Sequence, residues 1–357
     1  MNKEDTKKDP KVFIVNRYPP FTSIYKWSVD LKRALPYESE QINIIFDKRG
    51  WEDDHPGTDF LSIFGSNPLT YAFKSVAFLK AKKYMMLSSK MKNTIVHYTN
   101  QFSGTLRIKE ATEIVNVHDS PYFLESSSEI QKKYMNILYN SLKNIKYVIT
   151  NTYVLKAELL SYGFTGKIVT IHSPYEPYFR KLDYSKEILR GHLGLPLSKR
   201  IVLSVSSDSP RKNLGIVEEV VQRLGNDYIL VRVGKGLANS INFRNIDDET
   251  MNKLYNACDV LLFPSIYEGF GLPIAEAFAS GLPVITSNLP TVREVAEGAA
   301  ILVNPTDVEE IVRAVDLAIN ESGKFSSLGL KRAEEFTIDN FRRRIIDLYG
   351  SVLSELD

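Results

Sequence analysis

Phe263 to Asn288 read FPSIYEGFGLPIAEAFASGLPVITSN, and the architecture of the chain turns on this stretch. It opens from DVLLFPS, residues 259 to 265, a short apolar run of the kind that forms a strand buried on both faces. PIAEAFASG then reads as a helix, with Pro273 in its first turn, where a missing N–H costs nothing, and Gly281 at its C-terminal end. LPVITS, residues 282 to 287, is the next buried strand, so the whole is a strand–loop–helix–strand unit of a parallel sheet. Gly269 and Gly271 fall in the loop that feeds the helix, where free N–H groups favour an anion and small residues let it approach. Glu268 stands in the same loop and Glu276 one turn into the helix. A carboxylate does not bind phosphate, but it accepts hydrogen bonds from hydroxyls. A phosphate site flanked by two hydroxyl acceptors describes a sugar nucleotide. A tight turn with ordinary charge balance at a helix N-terminus is the competing reading.

The pattern extends in both directions. KVFIVNRY (11–18), INIIF (42–46), NTIVHYT (93–99), TEIVNVHD (112–119), KYVITNT (146–152) and KIVTIHS (167–173) are apolar strand candidates separated by helical stretches. That alternation predicts a doubly wound parallel sheet, whose ligands bind beyond the carboxyl ends of the strands. His97, His118 with Asp119, Asn151 and His172 all fall at such ends, without the close helical spacing of a metal site. SPYEPYFRKLDY and the polar residues after it read as a linker. A second set begins with RIVLSVSS (200–207), continues through the helix LGIVEEVVQRL and reaches YILVRVG (228–234). Arg211 and Lys212, in DSPRKN, lie in its first strand-to-helix loop. They are candidates for pairing with phosphate, or a plain basic surface pair. Gly234, in VGKG, marks another strand end, without the spacing of a nucleotide triphosphate loop. Asp247-Asp248 is a helix-start signal rather than a metal pair.

A chain of 357 residues predicts two domains. Its single cysteine, Cys258, excludes an internal disulfide and any cysteine-built metal site. The polar N-terminus is no signal peptide and no run is long and apolar enough to span a membrane, so a cytoplasmic protein is expected. Residues 1 to 180 hold 25 Lys+Arg against 18 Asp+Glu, whereas residues 181 to 357 hold 20 against 25. The bias is sharpest from Ser62 to Lys109, which has eight basic residues and no acidic one. Its helical centre, around residues 73 to 92, suits either an anionic membrane surface on the inner face or an ordinary solvated helix. No nucleic-acid-binding motif accompanies it.

Arg211-Lys212-Asn213, NACDVLLFPSIYEGFGLPIAEAFASGLPVITSN and GAAILVNPTDVEEIVRAV occur in that order. Together they closely resemble the retaining glycosyltransferases of the GT-B class, glycosyltransferase family 4, also described as glycosyl transferases group 1. The resemblance is strong across 200 to 345 and weaker in the first half, where VHD at 117 to 119 carries it. It implies an α/β chain of two Rossmann-like, doubly wound parallel-sheet domains facing across a cleft. Residues 1–174 would bind the acceptor, 175–340 the sugar nucleotide, and 341–357 would form a helix crossing back.

The implied reaction moves a hexose of mannose or glucose type from a GDP- or UDP-hexose to a hydroxyl of a glycan or lipid-linked acceptor. It would retain the anomeric configuration and use neither metal nor other cofactor. Residue by residue, the resemblance places Lys212 on the donor phosphates with Arg211 assisting, and Glu268 near the sugar hydroxyls. The backbone of Gly269, Phe270, Gly271 and Leu272 would cradle the distal phosphate. Glu276 would take the ribose, His118 would lie near the transferred sugar, and Gly234 is grouped with the donor-binding residues. Two departures stand out. The family's glycine pair after the first strand is replaced by PPFTSIYKW, with Thr22 and Ser23, and its glycine and arginine after the first C-domain strand appear as Ser206 and Ser207. The alternatives are a sugar-nucleotide epimerase of the same architecture or an inactive glycan- or nucleotide-binding component of a biosynthetic complex.

Overall fold

The structure, a computed structural model, describes residues 10–16, 23–43, 83, 94–108, 111–121 and 129–355. The basic helix expected around 73 to 92 lies outside the described residues apart from Lys83, as does Thr22. Two compact units emerge. One comprises Met1–Ile171 and Phe341–Asp357, the other His172–Asn340.

The first unit is built on six parallel strands: β1 (Lys11–Asn16), β2 (Ser39–Asn43), β3 (Thr94–Tyr98), β4 (Thr112–Val117), β5 (Tyr147–Thr150) and β6 (Lys167–Thr170). Their order is β2-β1-β3-β4-β5-β6. All five residues of β3 are buried, which is why NTIVHYT reads as apolar without alternation. Helices α1 (Ser23–Ala34), α2 (Glu129–Leu142) and α3 (Tyr153–Tyr162) accompany the sheet. The N-cap of α3 is Thr152, whose hydroxyl accepts from the Leu155 amide at 3.2 Å.

The second unit also has six parallel strands: β7 (Arg200–Val205), β8 (Tyr228–Val233), β9 (Ser240–Phe243), β10 (Val260–Phe263), β11 (Val284–Ser287) and β12 (Ile301–Val303). Their order is β12-β11-β10-β7-β8-β9. Its helices are α4 (Lys186–Leu193), α5 (Leu214–Leu224), α6 (Asp248–Ala257), α7 (Leu272–Ala279), α8 (Pro290–Ala296), α9 (Val308–Asn320) and α10 (Ser322–Ala333). The last helix, α11 (Ile338–Ser354), joins the first unit from Phe341 onward. Asp247 caps α6 by accepting from the Thr250 amide at 2.7 Å, the role its place in the sequence predicts.

Two expectations need correction. INIIF (42–46) is the expected second strand; β2 starts earlier, at Ser39, and is described to Asn43, while residues 44–46 lie outside the described residues. Among the described residues it pairs with β1 alone, so hydrogen bonding to β1 rather than an apolar run defines its polar start. The stretch expected as a linker is folded into the second unit, because Phe179, Leu189 and Leu195 are buried in its core. Among the described residues, no helix is long and apolar enough to cross a membrane.

Candidate functional site

The strand order of the second unit reverses between β7 and β10. At such a switch point the loops leaving the two central strands diverge to opposite sides and leave a crevice at the carboxyl edge. The loop after β7 carries Arg211 and Lys212; the loop after β10 carries Glu268, Gly269, Phe270 and Gly271. The topology therefore gathers at one edge the residues that the sequence marks as donor-binding.

The two loops are stitched together. The Ile266 amide donates to the Arg211 carbonyl at 2.8 Å. Asn213, in the left-handed region at φ 56°, donates its side-chain amide to the carbonyls of Pro264 at 3.1 Å and Pro305 at 2.7 Å. Thr291 donates its hydroxyl to the Glu268 carbonyl at 2.6 Å. These bonds fix the loops before any ligand arrives, which lowers the ordering cost of binding.

Glu268 is buried and holds both cations. One carboxylate oxygen accepts a hydrogen bond from Lys212 Nζ, and the other lies 3.9 Å from Arg211 Nη1. Lys212 also sits 4.9 Å over the ring of Phe263. The expected sugar-hydroxyl acceptor is thus engaged in an ion-paired triad. One carboxylate against two cations leaves this group of side chains with an excess of positive charge.

Beside the triad lies the helix entrance. Gly271 adopts φ +86°, a conformation that favours glycine, and a Cβ there would lie 2.9 Å from Ile274 Cδ1. The amides of Gly269, Phe270, Gly271 and Leu272 donate to no described residue. They are the orphan donors of a helix N-terminus, with the positive end of its dipole behind them. The Phe270 ring does not face this edge. It is buried against His172, ring centres 6.0 Å apart, and Phe336, at 5.4 Å, so this residue offers its backbone alone.

Glu276, half-buried on α7, accepts from the Tyr255 hydroxyl at 2.8 Å. Tyr255 is fully buried, and that burial, reinforced by the Glu276 charge, raises its pKa well above the ordinary tyrosine value. The phenol therefore stays a donor at every physiological pH. Gly234 takes φ +132° at the end of β8, where a Cβ would lie 2.3 Å from the Ser206 carbonyl oxygen.

In the first unit, His118 directly follows β4. Its Nε2 lies 2.8 Å from the Thr99 carbonyl oxygen, its backbone amide donates to Gln101 at 3.2 Å, and its ring meets Trp27 edge-on at 6.1 Å. Part of its surface is accessible, but the ring is crowded by protein atoms. That burial lowers its pKa, against the raising effects of the Thr99 carbonyl and Asp119. His97 is wholly buried, between Tyr349 (Nδ1 to Oη, 2.8 Å) and Asn116 (Nε2 to Oδ1, 2.9 Å). Its pKa is lowered to about 4, because burial outweighs the Asn116 hydrogen bond. Within the second unit, His172 is buried, with Nε2 3.1 Å from Glu294 and Nδ1 3.5 Å from Glu335. Of the strand-end histidines, His97 and His172 are thus held as packing groups.

Arg232 is missing from the sequence reading. It is fully buried in β8 with its guanidinium against Ser204, Ser206 and Ser207. A signal was present: an arginine inside YILVRV, in a strand type that offers no solvent-facing side. Among the described residues, no group of three or more His, Cys, Asp or Glu side chains is placed to hold a metal ion.

Two doubly wound parallel sheets, the second reversing at the loops just described, place the chain in the GT-B class of fold. Sucrose-phosphate synthase from Thermosynechococcus elongatus has the same fold. It superposes with a TM-score of 0.80 over 98% of this chain and 100% of its own, at 17% identity. Residues 185–335 match the model of the family Glycosyl transferases group 1. Similar curated proteins include O-antigen chain mannosyltransferase B of Escherichia coli, 34% identical over 107 residues, which are 29% of this chain and 28% of that protein. O-antigen chain mannosyltransferase RfbU of Salmonella typhimurium is 29% identical over 213 residues, 55% of this chain and 57% of its own length. The matched segments thus span from a little over a quarter to a little over half of these relatives.

Proposed function

We propose that the chain is a retaining hexosyltransferase that takes a sugar from a nucleoside-diphosphate donor and joins it to a hydroxyl of a glycan or lipid-linked acceptor. The observation that carries this reading is the edge of the second unit, where Lys212 and Arg211 flank one buried carboxylate beside the free amides of residues 269–272. Such an edge is built for a diphosphate. The names of the two curated relatives favour mannose as the sugar and a growing polysaccharide as the acceptor.

Breaking the anomeric bond loads negative charge onto the departing diphosphate. Lys212, Arg211 and the loop amides meet that charge, and their stabilisation counts because it is larger in the transition state than in the bound donor. As Lys212 turns its ammonium to the phosphate, Glu268 gains an oxygen for a sugar hydroxyl. The side-chain cations and the helix N-terminus do the work that a metal ion does in other phosphate-transferring sites. Retention follows when the departing phosphate takes the acceptor proton on the face from which it leaves. The role of His118 in this reading is orientation rather than nucleophilic attack, and the contact of its Nε2 with the Thr99 carbonyl favours that role.

The test is transfer of labelled sugar from GDP-mannose, UDP-glucose and related donors to polysaccharide and lipid-linked acceptor fractions, with and without EDTA. Product NMR then reports the anomeric configuration. Transfer with retention, unaffected by EDTA, is expected. Donor binding without transfer or slow hydrolysis from any member of the panel overturns the enzyme reading, and an inverted product overturns the mechanism.

A further inference from the structure

Arg232 is an expensive residue for its place. Its neighbours in β8, Leu230 and Val231, fill the sheet with apolar side chains, yet Arg232 sits among them with none of its surface exposed. Nη1 donates to the Ser204 carbonyl at 3.2 Å and to the Val233 carbonyl. Nη2 donates to the Ser206 carbonyl at 2.5 Å, the Ser206 hydroxyl at 3.1 Å and the Ser207 carbonyl at 3.3 Å. Nε is buried without a hydrogen-bond partner. No described carboxylate forms an ion pair with this guanidinium. The charged group that acts on it is Asp208, an exposed side chain 3.8 Å from Lys235. Burial lowers the Arg232 pKa to about 10, so it remains charged at neutral pH. A buried charge that has neutral oxygens for its hydrogen-bond partners and no ion-paired carboxylate is costly unless an anion completes it.

Two of the carbonyls that Arg232 holds, those of Ser206 and Ser207, belong to the turn leaving β7, which leads directly to Arg211 and Lys212 at the switch point. Without the guanidinium, the oxygens of Ser204, Ser206 and Ser207 would set negative partial charge at the edge where an anion must enter. With it, that part of the edge is positive. Gly234 keeps the space open, since a Cβ there would lie 2.8 Å from Arg232 Nη2.

We propose that Arg232 is a positioning residue for the donor diphosphate: it fixes the Ser206–Ser207 turn from below and adds a permanent positive charge to the anion site of Lys212, Arg211 and the 269–272 amides. This inference rests on reading the site as a sugar-nucleotide site, and its test separates the two. The full chain and its Arg232→Gln and Arg232→Lys variants are titrated calorimetrically with UDP and GDP, and with uridine and guanosine as phosphate-free controls. Thermal midpoints monitor folding. If the unaltered chain binds neither diphosphate, the sugar-nucleotide reading itself fails. If it binds one, Arg232→Gln should weaken that diphosphate about tenfold while changing the matching nucleoside by less than about threefold. Arg232→Lys, which keeps the charge but not the fork of donors, should stay within about threefold of the unaltered chain. A folded Gln variant with unchanged diphosphate affinity overturns the inference, as does equal weakening of nucleoside and diphosphate. If the Gln variant does not fold, the Lys variant decides: retained affinity supports the role, and a tenfold loss in a folded protein overturns it.

Discussion

His97 and His118 of the first unit and Lys212 and Arg232 of the second all lie at or beside the carboxyl ends of parallel strands, yet their surroundings treat them differently. His97 is held between Tyr349 and Asn116, and burial keeps both histidines from taking up a proton. In the second unit, Lys212 and Arg211 share one carboxylate, and the guanidinium of Arg232 donates to neutral oxygens of the Ser204–Ser207 stretch. The formal charges of the two halves point the other way, with 25 basic against 18 acidic residues up to position 180 and 20 against 25 beyond it. Acidic residues of the second half are spread over exposed helices, as in the Glu249–Lys253 and Glu309–Arg223 pairs, where solvent screens them. The field that a ligand meets is set by the few charges fixed at the strand ends, not by the sum over a domain.

The sharpest way to break this comparison is to remove the fixed cation of the second unit. Lys212→Ala is expected to lower turnover about a hundredfold, the scale seen when one preorganised partner of a developing anion is lost. Its preference among donor sugars should not change, because every donor shares the diphosphate. Steady-state rates over the donor panel check this. A variant that keeps its rate but changes its preferred sugar would move Lys212 to the sugar.

The first unit offers the converse test, a histidine whose charge is refused. The folded-state pKa of His97, about 4, lies below its ordinary value of 6.5, so the unfolded chain binds more protons between these limits. Stability is then complete above about pH 6.5 and declines as pH falls toward 4. Between pH 7 and pH 5 this one group should remove about 2 kcal/mol. His118 is shifted in the same direction and adds to the slope. Urea unfolding at the two pH values measures the loss, and His97→Gln should reduce it. An unchanged pH slope in that variant would show that His97 accepts a proton in the native state.

The sequence makes some of this contrast legible and hides the rest for physical reasons. Central strands such as β3, β7 and β10 are buried on both faces and announce themselves as apolar runs. The strands that sequence reading misplaced or left unassigned, β2, β9 and β12, all lie at sheet edges. The residues of β9 and two of the three in β12 are partly exposed, and the pairing that makes these strands leaves no local pattern. Glu268, Lys212 and the Gly271 loop are readable because chemistry and backbone geometry demand those residue types. Their ion pairing spans 56 positions and is visible only in the fold. The burial of Phe179 and Leu189 is hidden in the same way, because a polar stretch with a few apolar anchors looks like a linker until a core is there to receive them.

Glu276 sharpens the comparison within the second unit, because it is a second carboxylate beside Glu268 at an edge set up for an anion. If it takes ribose hydroxyls, Glu276→Ala should weaken donor binding about tenfold, the lower end for a charged hydrogen bond. The fold should survive, since the residue is half-buried on a short helix whose packing face is Ile274, Ala275, Ala277 and Phe278. Calorimetry of the variant with the nucleoside diphosphate checks both points, and an unchanged affinity removes Glu276 from the site.

The smallest effect belongs to Tyr255. Its hydroxyl, 2.8 Å from Glu276 Oε2, orients this carboxylate from inside the core. Burial raises the pKa of the phenol, so it donates and never competes as an anion. Tyr255→Phe keeps the ring, its packing against Phe179 at 5.7 Å and nearly all of the buried volume. The change therefore removes one hydrogen bond to a charged acceptor and little else. Glu276 would keep its charge but lose one constraint on its direction, so donor affinity should fall about threefold, less than for removal of the carboxylate. Combined with Glu276→Ala, the second change should add almost nothing, because Tyr255 acts on the donor only through Glu276. Additive losses in the double variant would place Tyr255 in an independent role, and the carboxylate would then have to be oriented from elsewhere on α7.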